Sequence, residues 1–257
     1  MVIDAHAHLE AEEDYVNGLL RAADEHGIDK ICLSALGPQY GMPSNDAVRE
    51  AFRAHPDRIV GVGTLRPGID QPEAIDRLAD EGFRAIKFTS PAGPYDSPEF
   101  FPLYERAEAR HLPALVHCTI LPRHAHDKRY NVNSAWLRPI FLDAVARHFP
   151  GLTIIIPHLG VPWHEETAML ARVHPNVYVD LTGDAVGWRQ HKEISWFRET
   201  LWWTGAFEKV VFGTDVHYRH FGLVLEDMNR IFEGIQLDEQ TRRKVMGETM
   251  ARLLGLS

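Results

Sequence analysis

Short runs of apolar, mostly β-branched residues alternate along this chain with longer stretches in which apolar positions recur every three to four residues. The first pattern reads as buried strand and the second as amphipathic helix. Eight strand-like runs occur, at 2–8, 30–36, 59–65, 84–90, 113–119, 153–159, 177–181 and 210–215. Helix-period segments lie between them at 14–26, 44–55, 71–81, 99–110, 134–148 and 165–173. A less regular, aromatic one covers 193–204, and two more follow the last strand at 223–232 and 238–254. Apolar strands separated by helices specify a parallel sheet covered by those helices. Eight such units in 257 residues predict a closed (β/α)8 TIM barrel, because open doubly wound sheets more often have five to seven strands and a Gly-rich first turn. No G-x-G-x-x-G or phosphate-binding loop follows the first strand, and no linker or low-complexity run breaks the pattern, so 1–257 reads as one domain.

Charge and composition then narrow the function. With 27 basic and 36 acidic residues the net charge is -9, which disfavours a polyanion such as nucleic acid as partner. The chain opens without a basic segment leading into a long apolar run, and no stretch reaches the ~18 apolar residues of a membrane helix. A cytoplasmic protein without a membrane partner is therefore expected. Two cysteines, Cys32 and Cys118, are too few for a disulfide framework and fit a reducing compartment. Histidine, the commonest metal ligand, stands out with 15 copies. His26, His55, His111, His148 and His174 fall near predicted helix ends, where a cation suits the helix dipole, and read as structural.

In a barrel the chemistry sits at the C-terminal ends of the strands and in the loops that follow. The first strand ends His6-Ala7-His8, and residues two apart on a strand share a face and can share one ion. Alone, this pair could equally be two polar residues at a strand end. The fifth strand ends Ala114-Leu115-Val116-His117, the sixth Ile154-Ile155-Ile156-Pro157-His158, and the eighth Val210-Val211-Phe212-Gly213-Thr214-Asp215. Each apolar run delivers one polar group to a depth where it must be paired or metal-bound. Four strands ending in zinc-ligating residue types predict a metal centre.

In this order the motifs resemble the amidohydrolase superfamily, in the branch that groups aminocarboxymuconate semialdehyde decarboxylase with many metal-dependent hydrolases. The resemblance rests on Ile3-Asp4-Ala5-His6-Ala7-His8, Gly82-Phe83-Arg84-Ala85-Ile86-Lys87-Phe88, Val116-His117-Cys118, Phe149-Pro150, Pro157-His158-Leu159-Gly160 and Phe212-Gly213-Thr214-Asp215. It implies one divalent ion, usually zinc, held by His6, His8, His117 and Asp215. Such a donor set also admits manganese, iron or cobalt. His158 is implied beside the ion as a proton-handling group, with Asp215 serving as both ligand and base. Two departures stand out. Asp215-Val216-His217-Tyr218 lacks the usual aromatic and proline after the aspartate, and Gly247-Glu248-Thr249 stands where an asparagine is usual. Neither removes a ligand.

Lys87 lies on the fourth strand, where binuclear relatives carry a carboxylated lysine that bridges two ions and makes the sixth-strand histidine a ligand. In the branch resembled here a lysine at this place is common without ligating. Lys87 is expected to project into the polar top of the barrel toward a carboxylate or the substrate. The irregular stretch after His117 contains Arg123, His124, His126, Lys128 and Arg129, a cluster that reads either as a receptor for an anionic substrate, with Arg123 and His124 in contact, or as a solvated loop. Trp163 and Trp188, after strands six and seven, and His217 after strand eight are expected at the substrate, whereas Trp196, Trp202 and Trp203 read as core or interface. An exposed Trp202-Trp203 pair would mark a homodimer contact.

The expected activity is hydrolysis of a small ester, lactone or amide substrate. The alternative is non-oxidative decarboxylation of a small aromatic or unsaturated carboxylic acid, which uses the same ligands. A DNA-hydrolysing barrel of the TatD type would want an acidic residue where Lys87 stands, and a catalytically dead binding module would have lost ligands.

Overall fold

The computed structural model describes residues 1–121, 131 and 133–256. Eight parallel strands form one sheet in strict sequence order. They are β1 Ile3–His8, β2 Lys30–Ser34, β3 Ile59–Leu65, β4 Ala85–Phe88, β5 Ala114–Val116, β6 Ile154–Ile156, β7 Val177–Asp180 and β8 Val210–Val211. The last strand returns to the first through backbone bonds from the Ala5 N–H to the Phe212 carbonyl at 2.9 Å and from the Asp215 N–H to the His6 carbonyl at 2.7 Å. The architecture is the (β/α)8 barrel that the periodicity predicts. Among the described residues no helix is long and apolar enough to cross a membrane.

Among the described residues the helices are α1 Tyr15–Glu25, α2 Asn45–Ala54, α3 Glu73–Glu81, α4 Phe101–Ala109, α5 Leu142–His148, α6 His164–Val173, α7 Ile194–Thr200, α8 Phe221–Gly234, α9 Glu239–Arg243 and α10 Thr249–Leu253. Two segments differ from expectation. The single helix expected over 134–148 begins as 3-10 turns, Ser134–Leu137 and Pro139–Phe141, because Pro139 forces Arg138 into an extended conformation. The last segment, expected as one helix over 238–254, is interrupted by a π turn at Lys244–Glu248 in which Gly247 is extended.

Two apolar layers hold the barrel. The outer one packs helices on strands. The inner one takes Ile3 and Ala5 from β1, Cys32, Val60, Val62, Ala85, Leu115, Ile155, Tyr178 and Val211 from the other seven strands, and Met250, Ala251 and Leu254 from the C-terminal end, which form the floor. Alternation then places Lys87, His117 and Asp180 on the same inward face, one step above Ala85, Leu115 and Tyr178.

β1 cannot follow that rule, because its inner-layer residues are odd-numbered and its histidines even-numbered. The structure resolves this with a bulge: between Asp4 and Ala7 β1 advances three residues while β2 advances two, from Ile31 to Leu33. A bulge shifts the parity of every later side chain. Ile3 and Ala5 therefore face the floor, and His6 and His8 still face inward.

Gly247 breaks the last helix because β1 passes against it. A Cβ at this position would lie 2.4 Å from the Met1 carbonyl oxygen and 3.0 Å from the Ile3 nitrogen, both backbone atoms. Gly247→Ala is expected to lower unfolding stability by about 1–3 kcal/mol, the usual penalty of overpacking a tight contact. Denaturant titration at constant slope checks this, and an unchanged midpoint would refute the contact.

Candidate metal centre

The side chains and strand ends that β1 and β8 bring to the top of the barrel are fixed from behind. The Asp4 carboxylate, fully buried, accepts the His6 N–H at 3.0 Å, the Thr214 N–H at 2.9 Å and the Thr214 hydroxyl at 2.6 Å. It thus secures the β1 bulge and the residue before Asp215 together. Asp215 itself has φ 51. That left-handed backbone costs a non-glycine residue of order 1–3 kcal/mol and is tolerated only where surrounding bonds over-determine it.

His6 is buried, and its Nδ1 lies 3.0 Å from Asp180 Oδ2. An ionised carboxylate only accepts, so Nδ1 carries the proton and Nε2 keeps its lone pair. His8 reaches the same tautomer differently. Ser34 donates its hydroxyl to the Ala7 carbonyl at 3.2 Å, which leaves its oxygen to accept from His8 Nδ1 at 3.1 Å. Both Nε2 atoms face a common point. One Asp215 oxygen lies 3.4 Å from His6 Nε2 and 3.1 Å from His8 Nε2, while the other lies 3.5 Å from His158 Nδ1.

Lys87 donates its Nζ to His6 Nε2 at 2.6 Å and to His8 Nε2 at 2.9 Å. The ammonium therefore sits on the lone pairs that an ion would use, and an ion that takes them must take them from Lys87. Asp180, not singled out in the sequence, was legible by the rule that picked out His117: it is the one charged residue closing the apolar run Val177-Tyr178-Val179. A carboxylate behind a ligand histidine is the common orienting partner of metal-bound imidazoles.

Electrostatics match. Burial, then repulsion from Lys87, pushes His8 down to about 4. Burial, then the neighbouring His158 and Lys87, pushes His117 well below the ordinary imidazole range, and burial lowers His158. These rings are neutral near pH 7, the form that binds metals. Burial pushes the Asp215 carboxyl up, but the electrostatic pull of His6, the bond to His8 and the pull of His158 outweigh it and hold it well below the usual carboxylate range.

His6, His8 and Asp215 bring their ligand atoms within 4.8 Å of one another. His117 stands in the same cavity but outside that trio, and both its ring nitrogens are buried without a hydrogen-bond partner. An orphaned imidazole beside a preset trio of donors fits an ion. His6, His158 and Asp180 form a second trio, but the carboxylate there is already committed to protein donors.

The cavity measures about 750 Å³ and is lined by His8, Lys87, His117, His158 and Asp215 beside Tyr40, Leu36, Val161 and Trp188. Trp188 lines this cavity. Two others do not. Trp163 precedes α6 and does not line the cavity, and His217 pairs with Glu12 at 3.1 Å and packs on Tyr218, outside the lining. Arg123 and His124, with the rest of the basic cluster, lie outside the described residues. Only Trp202 of the tryptophan pair is exposed, at 58%, with the Arg172 guanidinium 4.3 Å over its ring, and Trp203 packs on the core. The five helix-end histidines stay away from the cavity.

A family model described as amidohydrolase matches residues 3–256. No curated protein sequence matches the chain. Among solved structures, 5-carboxyvanillate decarboxylase from Sphingomonas paucimobilis is similar with TM-score 0.71 and 17% identity, over 100% of this chain and 99% of that one. A probable 2-pyrone-4,6-dicarboxylic acid hydrolase from Acinetobacter baumannii, with citric acid bound, gives 0.69 and 17% over 99% of each chain. A dihydroxybenzoic acid decarboxylase from Polaromonas, with manganese and 2-nitroresorcinol bound, gives 0.69 and 16% over 99% of this chain and 97% of that one. At such identities the likeness shows the fold.

Elemental analysis of protein purified without added metal or chelator is expected to find about one divalent ion per chain, lost in His6→Ala and His117→Ala and kept in Lys87→Met. Two ions per wild-type chain, one lost with Lys87, would instead mark a binuclear centre. A second expectation concerns pH. Burial pulls the Lys87 pKa down from 10.5 to about 8, so the folded state is penalised while the lysine is charged and the penalty fades as pH rises between those values. In metal-stripped protein, wild type should gain on the order of 3 kcal/mol relative to Lys87→Met between pH 8 and 10.5, measured by denaturation at each pH. A constant difference would refute the buried, charged lysine.

Proposed function

The chain belongs to the amidohydrolase family, and from that premise we propose that it is a metal-dependent hydrolase of a small ester, lactone or amide. The observation that carries this reading is the span of the Asp215 carboxylate, one oxygen against His6 and His8 and the other against His158. A carboxylate so placed belongs at once to an ion site and to a proton path. His6, His8 and Asp215 would hold the ion, with His117 as the fourth donor. Zinc suits that set, and manganese is the first alternative. A divalent ion bound there supplies Lewis acidity, which polarises a carbonyl and acidifies water.

The protein's own groups account for the rest. Asp215, ionised at neutral pH, accepts a proton from the attacking water. Asp215 delivers that proton to the leaving group, and His158, neutral beside it, serves as a second proton-handling base. Lys87 places positive charge next to the site and favours an anionic substrate. Leu36, Val161 and Trp188 give the cavity apolar walls suited to a ring or unsaturated chain.

Decarboxylation is the second reading. It is supported by the decarboxylases among the similar structures, one with manganese bound, and by Lys87 as the one lysine or arginine among the described lining residues. One set of reactions separates the two. Protein loaded with zinc or manganese is offered lactones, esters, amides and unsaturated or aromatic carboxylic acids, in water enriched in oxygen-18. Label in the product carboxylate with no carbon dioxide released is the expected result, and carbon dioxide released with no label in the remaining organic product would replace hydrolysis by decarboxylation. Asp215→Asn and His158→Asn should each lower kcat about 10²- to 10⁴-fold on the substrate found.

A further inference from the structure

The segment after β7 is pinned at three successive carbonyls. Arg189 donates Nη1 to the Leu181 carbonyl at 2.7 Å and to the Gly183 carbonyl at 2.9 Å, and Trp188 donates its indole N–H to the Thr182 carbonyl at 2.8 Å. Arg189 is itself buried and paired with Asp227 at 2.7 Å. Gly183 has φ +117, and a Cβ there would stand 3.0 Å from the Trp188 indole nitrogen, so only glycine lets the tryptophan close on the strand end. Thr182 is fully buried on this fixed backbone.

Its hydroxyl has one proton and three neighbours; His6 Nδ1, 3.3 Å away, already carries its own proton, so two claims remain. Asp180 Oδ1 lies 2.5 Å away and accepts only, so the proton goes there. His158 Nδ1 lies 2.8 Å from the same oxygen and must therefore be the donor. The other acceptor near that nitrogen, Asp215, is farther, at 3.5 Å. Asp180 Oδ1 also takes the His158 backbone N–H at 2.7 Å, where His158 has the left-handed φ 58. The same carboxylate thus holds the strained backbone and, through Thr182, the ring.

We propose that Asp180 and Thr182 are positioning residues that lock His158 in the tautomer with its proton on Nδ1, leaving Nε2 as the base nitrogen. This deepens the proton-handling role given to His158 above and rests on that reading. Asp180 then serves two imidazoles of different duty, His6 through Oδ2 and His158 through Oδ1 and the Thr182 hydroxyl. The pair excludes an His158 that donates from Nε2 in the resting protein.

The test is nitrogen-15 NMR of the zinc-loaded protein labelled at histidine, with the His158 signals assigned by their loss in His158→Asn. The expected spectrum shows a protonated Nδ1 and an unprotonated Nε2 in wild type and Thr182→Ser. Thr182→Val should keep the wild-type metal content but shift that tautomer, and should lower kcat about 10²-fold with KM little changed, while Thr182→Ser restores it. A wild-type His158 protonated on Nε2 overturns the proposal, and so does a Thr182→Val protein with the same tautomer and kcat. Because the tautomer is read without substrate, an enzyme that proved to decarboxylate would leave this result standing.

Discussion

A strand has a period of two, and β1 must present Ile3 and Ala5 to the barrel floor and His6 and His8 to the chamber above it, which is an odd number of steps away. One extra residue between Asp4 and Ala7 meets that demand. With a regular strand, the two histidines would face the helices. The bulge would be unstable without the buried Asp4 carboxylate, which takes up the His6 N–H and reaches across to Thr214. Burial raises the Asp4 pKa to about 6 against the pull of those three bonds. The donors from β1 and the carboxylate after β8 are therefore set by one side chain.

Three buried or nearly buried aspartates divide the work of the chamber. Asp4 organises backbone, Asp180 orients imidazoles, and Asp215 faces the cavity with both oxygens against histidines. Left-handed backbone gathers here, at His158, Leu159 and Asp215. Each such residue costs energy that its neighbours offset, His158 through Asp180 and Asp215 through the His6 carbonyl. β6 stops at Ile156 and β8 at Val211, short of the residues that matter.

Much of this was legible in the sequence, because the barrel rests on apolar runs at regular spacing and those runs survive any error of a few residues at their ends. His6, His8, His117, His158 and Asp215 stood out as polar groups closing apolar runs, and all five line or border one cavity. Asp180 closes its run in the same way, but aspartate near a strand end is also ordinary turn chemistry, which hides it in the sequence. What could not be read were partners outside the local pattern. The contact of Lys87 with two histidines about 80 residues away, the pairing of His217 with Glu12, and the departure of Trp163 from the cavity all depend on how loops cross. The break at Gly247 depends on the path of β1, at the far end of the chain.

That last contact governs the order of events during synthesis. The floor of the barrel is laid by Met250, Ala251 and Leu254 against residues from all eight strands, and β1 rests on Gly247. While the chain emerges from a ribosome, the first seven strands have neither a closing neighbour nor a floor. A nascent chain therefore carries an open sheet edge and an unfilled apolar interior until residues 247–254 are released. A stall just before Gly247 would leave every proposed ligand translated above a barrel without its floor, and a species with such exposed apolar surface is a natural client for chaperones.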